Sequence, residues 1–105
     1  MKLFTTSALL VLLFASQSCK KEDPAPLPQA NFYVEGNGSI SPCYLYFYNQ
    51  SQNSISWEWD FGNGKSSLLE NDSCLFDTAG TYEVWLFATN VDMVKDSVRK
   101  NVHIN

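Results

Sequence analysis

The chain has 105 residues, 45% of them hydrophobic and 17% charged, which is enough for one small domain with a modest core and excludes a multidomain enzyme. Seven basic side chains face eleven acidic ones, for a formal net charge of −4. No basic run exceeds a pair such as Lys20-Lys21, which argues against nucleic acid as a partner.

At the N-terminus, Lys2 precedes an apolar stretch, Leu9 to Phe14, too short to span a bilayer core of about 30 Å. Residues 1–18 therefore read as a secretory signal. The stretch closes on Ala15-Ser16-Gln17-Ser18-Cys19, which resembles a bacterial lipobox with Ser16 where leucine is usual. That resemblance implies lipidation of Cys19 as the first residue of the mature chain. Ordinary cleavage nearby would instead leave Cys19 a free thiol. The following Lys20-Lys21-Glu22-Asp23 is similar to the start of Bacteroidetes lipoproteins, where a lysine and two acidic residues mark display on the outer face of the outer membrane. The expected location is thus exported, with a membrane anchor through Cys19 at the cell surface. Each buried acyl methylene contributes about 0.8 kcal/mol, so several chains anchor firmly without a spanning helix.

Residues 19–29 hold three prolines and several charges, the composition of a semi-extended tether. From Ala30 the pattern changes to period two, the mark of half-buried strands. Strands are expected over 31–35, 43–49, 55–61, near 65–68, over 73–76, 81–90 and 96–104, with turn signals such as Asn37-Gly38 and Gly62-Asn63-Gly64 between them. No amphipathic run of helical length follows residue 29. Roughly seven short strands predict an all-β, two-sheet antiparallel sandwich.

Two separated segments carry a family resemblance. Trp59-Asp60-Phe61-Gly62-Asn63-Gly64 and the later Phe76 with Gly80-Thr81-Tyr82-Glu83-Val84-Trp85-Leu86 resemble the polycystic kidney disease (PKD) domain family. Its pattern is W-D-F-G-D-G followed by H-x-Y and G-T-Y-x-V-x-L. The resemblance spans residues 30–105 and implies an immunoglobulin-like sandwich outside cells that serves as a binding or spacing module. Three positions depart from the pattern: Asn63 replaces aspartate, Cys74 replaces histidine and Phe76 replaces tyrosine.

The segment Trp57 to Gly64 has a structural explanation. Ile55, Trp57, Trp59 and Phe61 share one parity, expected to face the core, opposite Ser56, Glu58 and Asp60. Gly62 and Gly64 then permit positive dihedrals in a tight reversal. A calcium site from Asp60, Asn63 and Asp72 lacks the regular oxygen-ligand spacing of a known loop, so no metal or other cofactor is expected. His103 is the only histidine and the carboxylates are scattered, so no catalytic constellation is present and a non-enzyme is expected.

Cys43 and Cys74 form an even pair in an exported chain, on strands that the family topology makes neighbours. A disulfide between them is one expectation, with about 3 to 4 kcal/mol of stabilisation. Two buried free thiols are the other.

The functional clue lies on outward positions. With Leu45 and Phe47 inward, Tyr44, Tyr46 and Tyr48 point out beside Tyr33; with Tyr82, Val84 and Leu86 inward, Trp85 and Phe87 point out on the other sheet. Contiguous exposed aromatics mark a glycan or protein surface. Cross-strand tyrosines also stabilise a sheet by themselves, at about 0.2 to 1 kcal/mol per pair. The expected function is a surface lipoprotein binding an extracellular carbohydrate or protein. A passive spacer of an envelope assembly, or an accessory to a secreted hydrolase, is the alternative.

Overall fold

The structure, a computed structural model, describes residues 23–105. The expected signal segment, Cys19 and the Lys20-Lys21 pair lie outside the described residues.

Seven strands follow in chain order: β1 (Phe32–Glu35), β2 (Cys43–Asn49), β3 (Ser56–Asp60), β4 (Ser66–Ser67), β5 (Asp72–Phe76), β6 (Gly80–Thr89) and β7 (Lys95–Ile104). No helix occurs among the described residues. One sheet runs β1-β2-β5 and the other β4-β3-β6-β7, with every pairing antiparallel. This is the two-sheet sandwich that the alternating pattern predicts.

The core forms where the inward parities of both sheets meet. Phe32, Leu45, Phe47 and Phe76 from the first sheet are fully buried against Trp59, Val84, Leu86, Val102 and Ile104 from the second. Phe47 is central: its ring lies 4.9 Å from Phe61, 5.6 Å from Trp59, 6.1 Å from Phe32 and 6.4 Å from Phe76. Aromatic pairs at such spacings add about 0.5 to 1.5 kcal/mol each beyond area burial. The buried Trp59 satisfies its one donor, Nε1, on the Leu69 carbonyl at 2.9 Å. Tyr82 packs its ring 4.9 Å from Phe76 and donates its hydroxyl to the Thr78 carbonyl at 2.6 Å, closing the turn into β6 in the manner of a tyrosine corner.

Two expectations need correction. Ile55 does not join the core: β3 begins at Ser56, and Ile55 lies outside the strand, exposed at the end of the sandwich. Its backbone amide still donates to Thr89, at the last rung of the β3–β6 ladder. Cys43 and Cys74 are both free thiols. Their strands are neighbours, as expected, but Cys43 is paired with Phe76 and Cys74 with Leu45. The two cysteines are therefore diagonal, a separation of about 7 to 8 Å that exceeds the usual reach of a disulfide.

The tether is also shorter than its composition suggests. The Ala25 amide donates to Asp92 Oδ2 and the Ala30 amide to Asp96 Oδ2, both at 2.8 Å. Asn90 Nδ2 donates to the Pro26 carbonyl, Asn53 Nδ2 donates to the Leu27 carbonyl, and Gln29 bridges Gln52. Pro28 is buried. Residues 25–30 are thus a strap laid on the domain, a feature that proline content alone does not reveal.

Candidate functional site: two aromatic faces

The outer face of the three-stranded sheet carries the tyrosines. Alternation along β2 puts Tyr44, Tyr46 and Tyr48 on one side at intervals of about 7 Å, and the β1–β2 register sets Tyr33 opposite Tyr48. All four are 40 to 56% exposed. Tyr33 and Tyr48 stack with centroids 6.1 Å apart, and the Tyr48 hydroxyl donates to Glu35 Oε1 at 3.3 Å. Partial desolvation, with the Glu35 carboxylate beside it, raises the Tyr48 phenol above its ordinary pKa. Tyr44 faces Leu75 and Tyr46 faces Ser73 across the β2–β5 pairing. Among the described residues no side chain engages the Tyr44 or Tyr46 hydroxyl. The face thus divides into a stacked, hydrogen-bonded pair and two rings whose donors and acceptors are free for a ligand.

The second face differs from expectation. Trp85 and Phe87 do point outward on β6, but both are half-buried. They stack on each other at 5.8 Å with planes 6° apart. The cross-strand partner of Trp85 is Arg99, whose guanidinium lies 5.7 Å from the indole ring, while Lys95 lies 5.8 Å from Phe87. Glu83 accepts from Trp85 Nε1 at 3.1 Å and from Arg99 Nη1 at 3.0 Å. These cations cover the rings, so the pair is partly committed to the sheet itself. A groove of about 230 Å³ opens at the edge of this face, lined by Glu58, Leu68, Phe87, Lys95 and the half-buried Trp57 among others.

The Asp60–Gly64 turn connects β3 to β4 within the four-stranded sheet. Asp60 Oδ1 accepts the Gly62 amide at 3.0 Å, which forms the reversal, and Asn63 Oδ1 accepts the Lys65 amide at 3.1 Å. Gly62 has φ +77°, and a β-carbon there would stand 2.5 Å from the Glu83 carbonyl oxygen, so only glycine fits against β6. Asn63 Nδ2 reaches across to β5, donating to the Leu75 carbonyl at 3.1 Å and lying 3.4 Å from Cys74 Sγ. Two of the departures from the family pattern therefore meet: an amide and a thiol stand in contact where the pattern has an aspartate and a histidine. Burial raises the Cys74 thiol pKa, with the Asn63 contact and Lys65 opposing that shift.

The remaining candidates have local duties. Asp72 Oδ1 accepts the Ser73 amide on β5 and Asp60 Oδ1 the Gly62 amide, each within its own segment, while Asn63 commits its Oδ1 to Lys65 and its Nδ2 to the Leu75 carbonyl. His103 is exposed on β7, with Nδ1 3.3 Å from Thr81 Oγ1 and Nε2 3.1 Å from Asn105 Oδ1. Sequence reasoning missed Asn90, the buried polar residue that holds the strap and the β6–β7 turn together. Its only local signal is an asparagine at the end of a strand.

An immunoglobulin-like antiparallel sandwich with a tyrosine corner and aromatic outer faces defines the class. The chain belongs to the PKD domain family: the family model described as the PKD domain matches residues 44–105. Among solved structures, the PKD1 domain of Vibrio anguillarum Epp is 26% identical, with a TM-score of 0.68 over 78% of this chain and 98% of that one. The PKD1 domain of the Vibrio cholerae metalloprotease PrtV is 25% identical, with a TM-score of 0.67 over 76% of this chain and 99% of that one. A structure described under carbohydrate-binding modules of the β-sandwich superfamily shares the fold at 19% identity, with a TM-score of 0.72 over 79% of this chain and 36% of that one. No curated protein matches the sequence.

Proposed function

We propose that this protein is a non-catalytic, lipid-anchored PKD module of the cell surface that binds an extracellular carbohydrate or protein through its tyrosine face. The observation that carries the reading is the row of Tyr44, Tyr46, Tyr48 and Tyr33, all 40 to 56% exposed on one sheet. Four contiguous half-exposed rings offer apolar faces for sugar rings or partner side chains, and hydroxyls to orient them. Trp85 and Phe87 form a secondary surface, because binding there first displaces the Arg99 and Lys95 contacts. The anchor is the lipid on Cys19 that the N-terminal pattern implies. Carbohydrate binding is named for one fold relative, and a metalloprotease for the host of another. Those descriptions suit a binding or accessory role and say nothing of this chain's ligand.

The test is a glycan array and an extracellular pull-down with the wild type and a Tyr44→Ser/Tyr46→Ser variant. Loss of at least tenfold in affinity is the expected result, with the domain still melting cooperatively and its melting temperature lowered by no more than about 10 °C, since neither hydroxyl supports the fold and each ring contributes about 0.2 to 1 kcal/mol of cross-strand packing. Retained binding, or a loss of stability that accounts for the lost binding, refutes the assignment.

A further inference from the structure

Five of the eight exposed aliphatic residues form one group, while Ile40 lies at the opposite end and Leu68 and Leu69 on the β4–β5 connection. Leu27, Ile55, Val91, Met93 and Val94 all lie at one end of the sandwich, where the strap meets the β2–β3 and β6–β7 connections. Leu27, Ile55, Val91 and Met93 are 60 to 79% exposed. Ala25, Pro26, Ile55 and Val91 line a common groove of about 220 Å³.

Hairpin tips ordinarily carry polar turn formers. Here the tip reads Val91-Asp92-Met93-Val94, and its shape is enforced from below. Buried Asn90 accepts the Asp92 and Val94 amides on Oδ1, both at 2.9 Å, and its carbonyl accepts the Met93 amide at 3.0 Å. Met93 takes φ +65°, a conformation that side chains rarely adopt. The fold holds apolar side chains in water at a position where polar ones cost less.

The chain outside the described residues indicates what covers them. The chain enters the described fold at this end, because the Ala25 amide is bound to Asp92 of the tip itself. Five residues lie between Cys19 and Ala25, a reach of at most about 22 Å. The carboxylates nearest the tip, Asp92 and Asp96, are turned onto backbone amides of the strap. The segment leading from Cys19, Lys20-Lys21-Glu22-Asp23, has two basic and two acidic side chains, so it brings no net charge that would favour strongly anionic lipid.

We infer that this end of the sandwich sits on a zwitterionic lipid surface, with Met93 and Val91 entering the boundary between headgroups and acyl chains, flanked by Ile55 and Leu27. The inference rests on the membrane anchoring proposed above. Lipid contact at the tip stands the strands away from the bilayer and leaves the tyrosine face at the side, open to a ligand. Without it, a five-residue leash lets the domain tumble.

Methionine occurs only at positions 1 and 93, so a chain starting at Cys19 has one methyl-methionine NMR signal, from Met93. That chain contains every described residue. It is coupled at its N-terminus to a synthetic dipalmitoyl group and placed on nanodiscs of phosphatidylcholine and phosphatidylethanolamine. A 5-doxyl lipid is expected to broaden the Met93 signal at least tenfold more than a water-soluble gadolinium chelate does. The reverse ratio overturns the inference by placing the tip in water. Shielding from both probes also overturns it, by placing another protein surface there. The anchor is supplied chemically, so these outcomes do not depend on native lipidation, which the mass of the native N-terminus decides separately.

Discussion

Two glycines of one turn separate backbone strain from close packing. Gly62 and Gly64 have similar positive dihedrals, φ +77° and +89°, so alanine at either pays the left-handed penalty of about 1 to 2 kcal/mol. A β-carbon at Gly64 meets nothing within 4 Å, whereas one at Gly62 would stand 2.5 Å from the Glu83 carbonyl oxygen and 3.1 Å from its nitrogen. Glu83 lies on β6, paired with Asn101 of β7, so its backbone cannot give way cheaply. The turn must lift instead, dragging buried Phe61 and the Asn63 contacts to β5. Overpacking of this kind adds about 1 to 3 kcal/mol. Gly64→Ala is therefore expected to cost about 1 to 2 kcal/mol and Gly62→Ala about 2 to 5 kcal/mol. For a domain of this size each kcal/mol lowers the melting temperature by about 4 to 8 °C. Urea unfolding followed by tryptophan fluorescence and far-ultraviolet circular dichroism measures both variants. Equal losses, or a larger loss at Gly64, would refute the argument that contact with β6 is what requires Gly62.

Two further predictions concern buried groups. Asn90→Ala removes two accepted amides and one donated hydrogen bond, an expected loss of about 2 to 4 kcal/mol. Native-state hydrogen exchange should then be at least tenfold faster at Ala25, which depends on the turn through Asp92, than at Ala30, which Asp96 holds independently; unchanged exchange at Ala25 counts against the strap. The raised pKa of Cys74 means that the folded thiol keeps a proton that the unfolded chain releases above about pH 8.5. Stability should thus fall with rising pH between the ordinary and the raised value, and more steeply in the wild type than in Cys74→Ala. Parallel urea-stability curves from about pH 7 to about pH 10 would exclude that linkage.

Much of the fold was legible residue by residue. Alternation gave β2 its bounds, Cys43–Asn49, because Leu45 and Phe47 choose the core at every second position with Cys43 of the same parity before them, and its outward tyrosines followed by parity. The same alternation overreached at Ile55, where the residue keeps the core parity but the sheet has ended. Trp85 and Phe87 were placed on the correct face, yet their exposure depended on Arg99 and Lys95, contributed by a different strand.

The sequence by itself determined the strand segments along the chain, most of the inward and outward faces, the turn glycines and the family motifs, since period-two burial and positive dihedrals are properties of adjacent residues. Only the tertiary structure decided that Cys43 and Cys74 stand diagonally, that Asp92 and Asp96 clasp a strap 66 to 67 residues away, and that five exposed aliphatic residues gather at one end. The physical reason is register. A strand slipped by two residues presents the same faces and nearly the same core, but it brings different side chains opposite one another. Those pairings decide which thiols can meet, which rings are covered and which surface remains open.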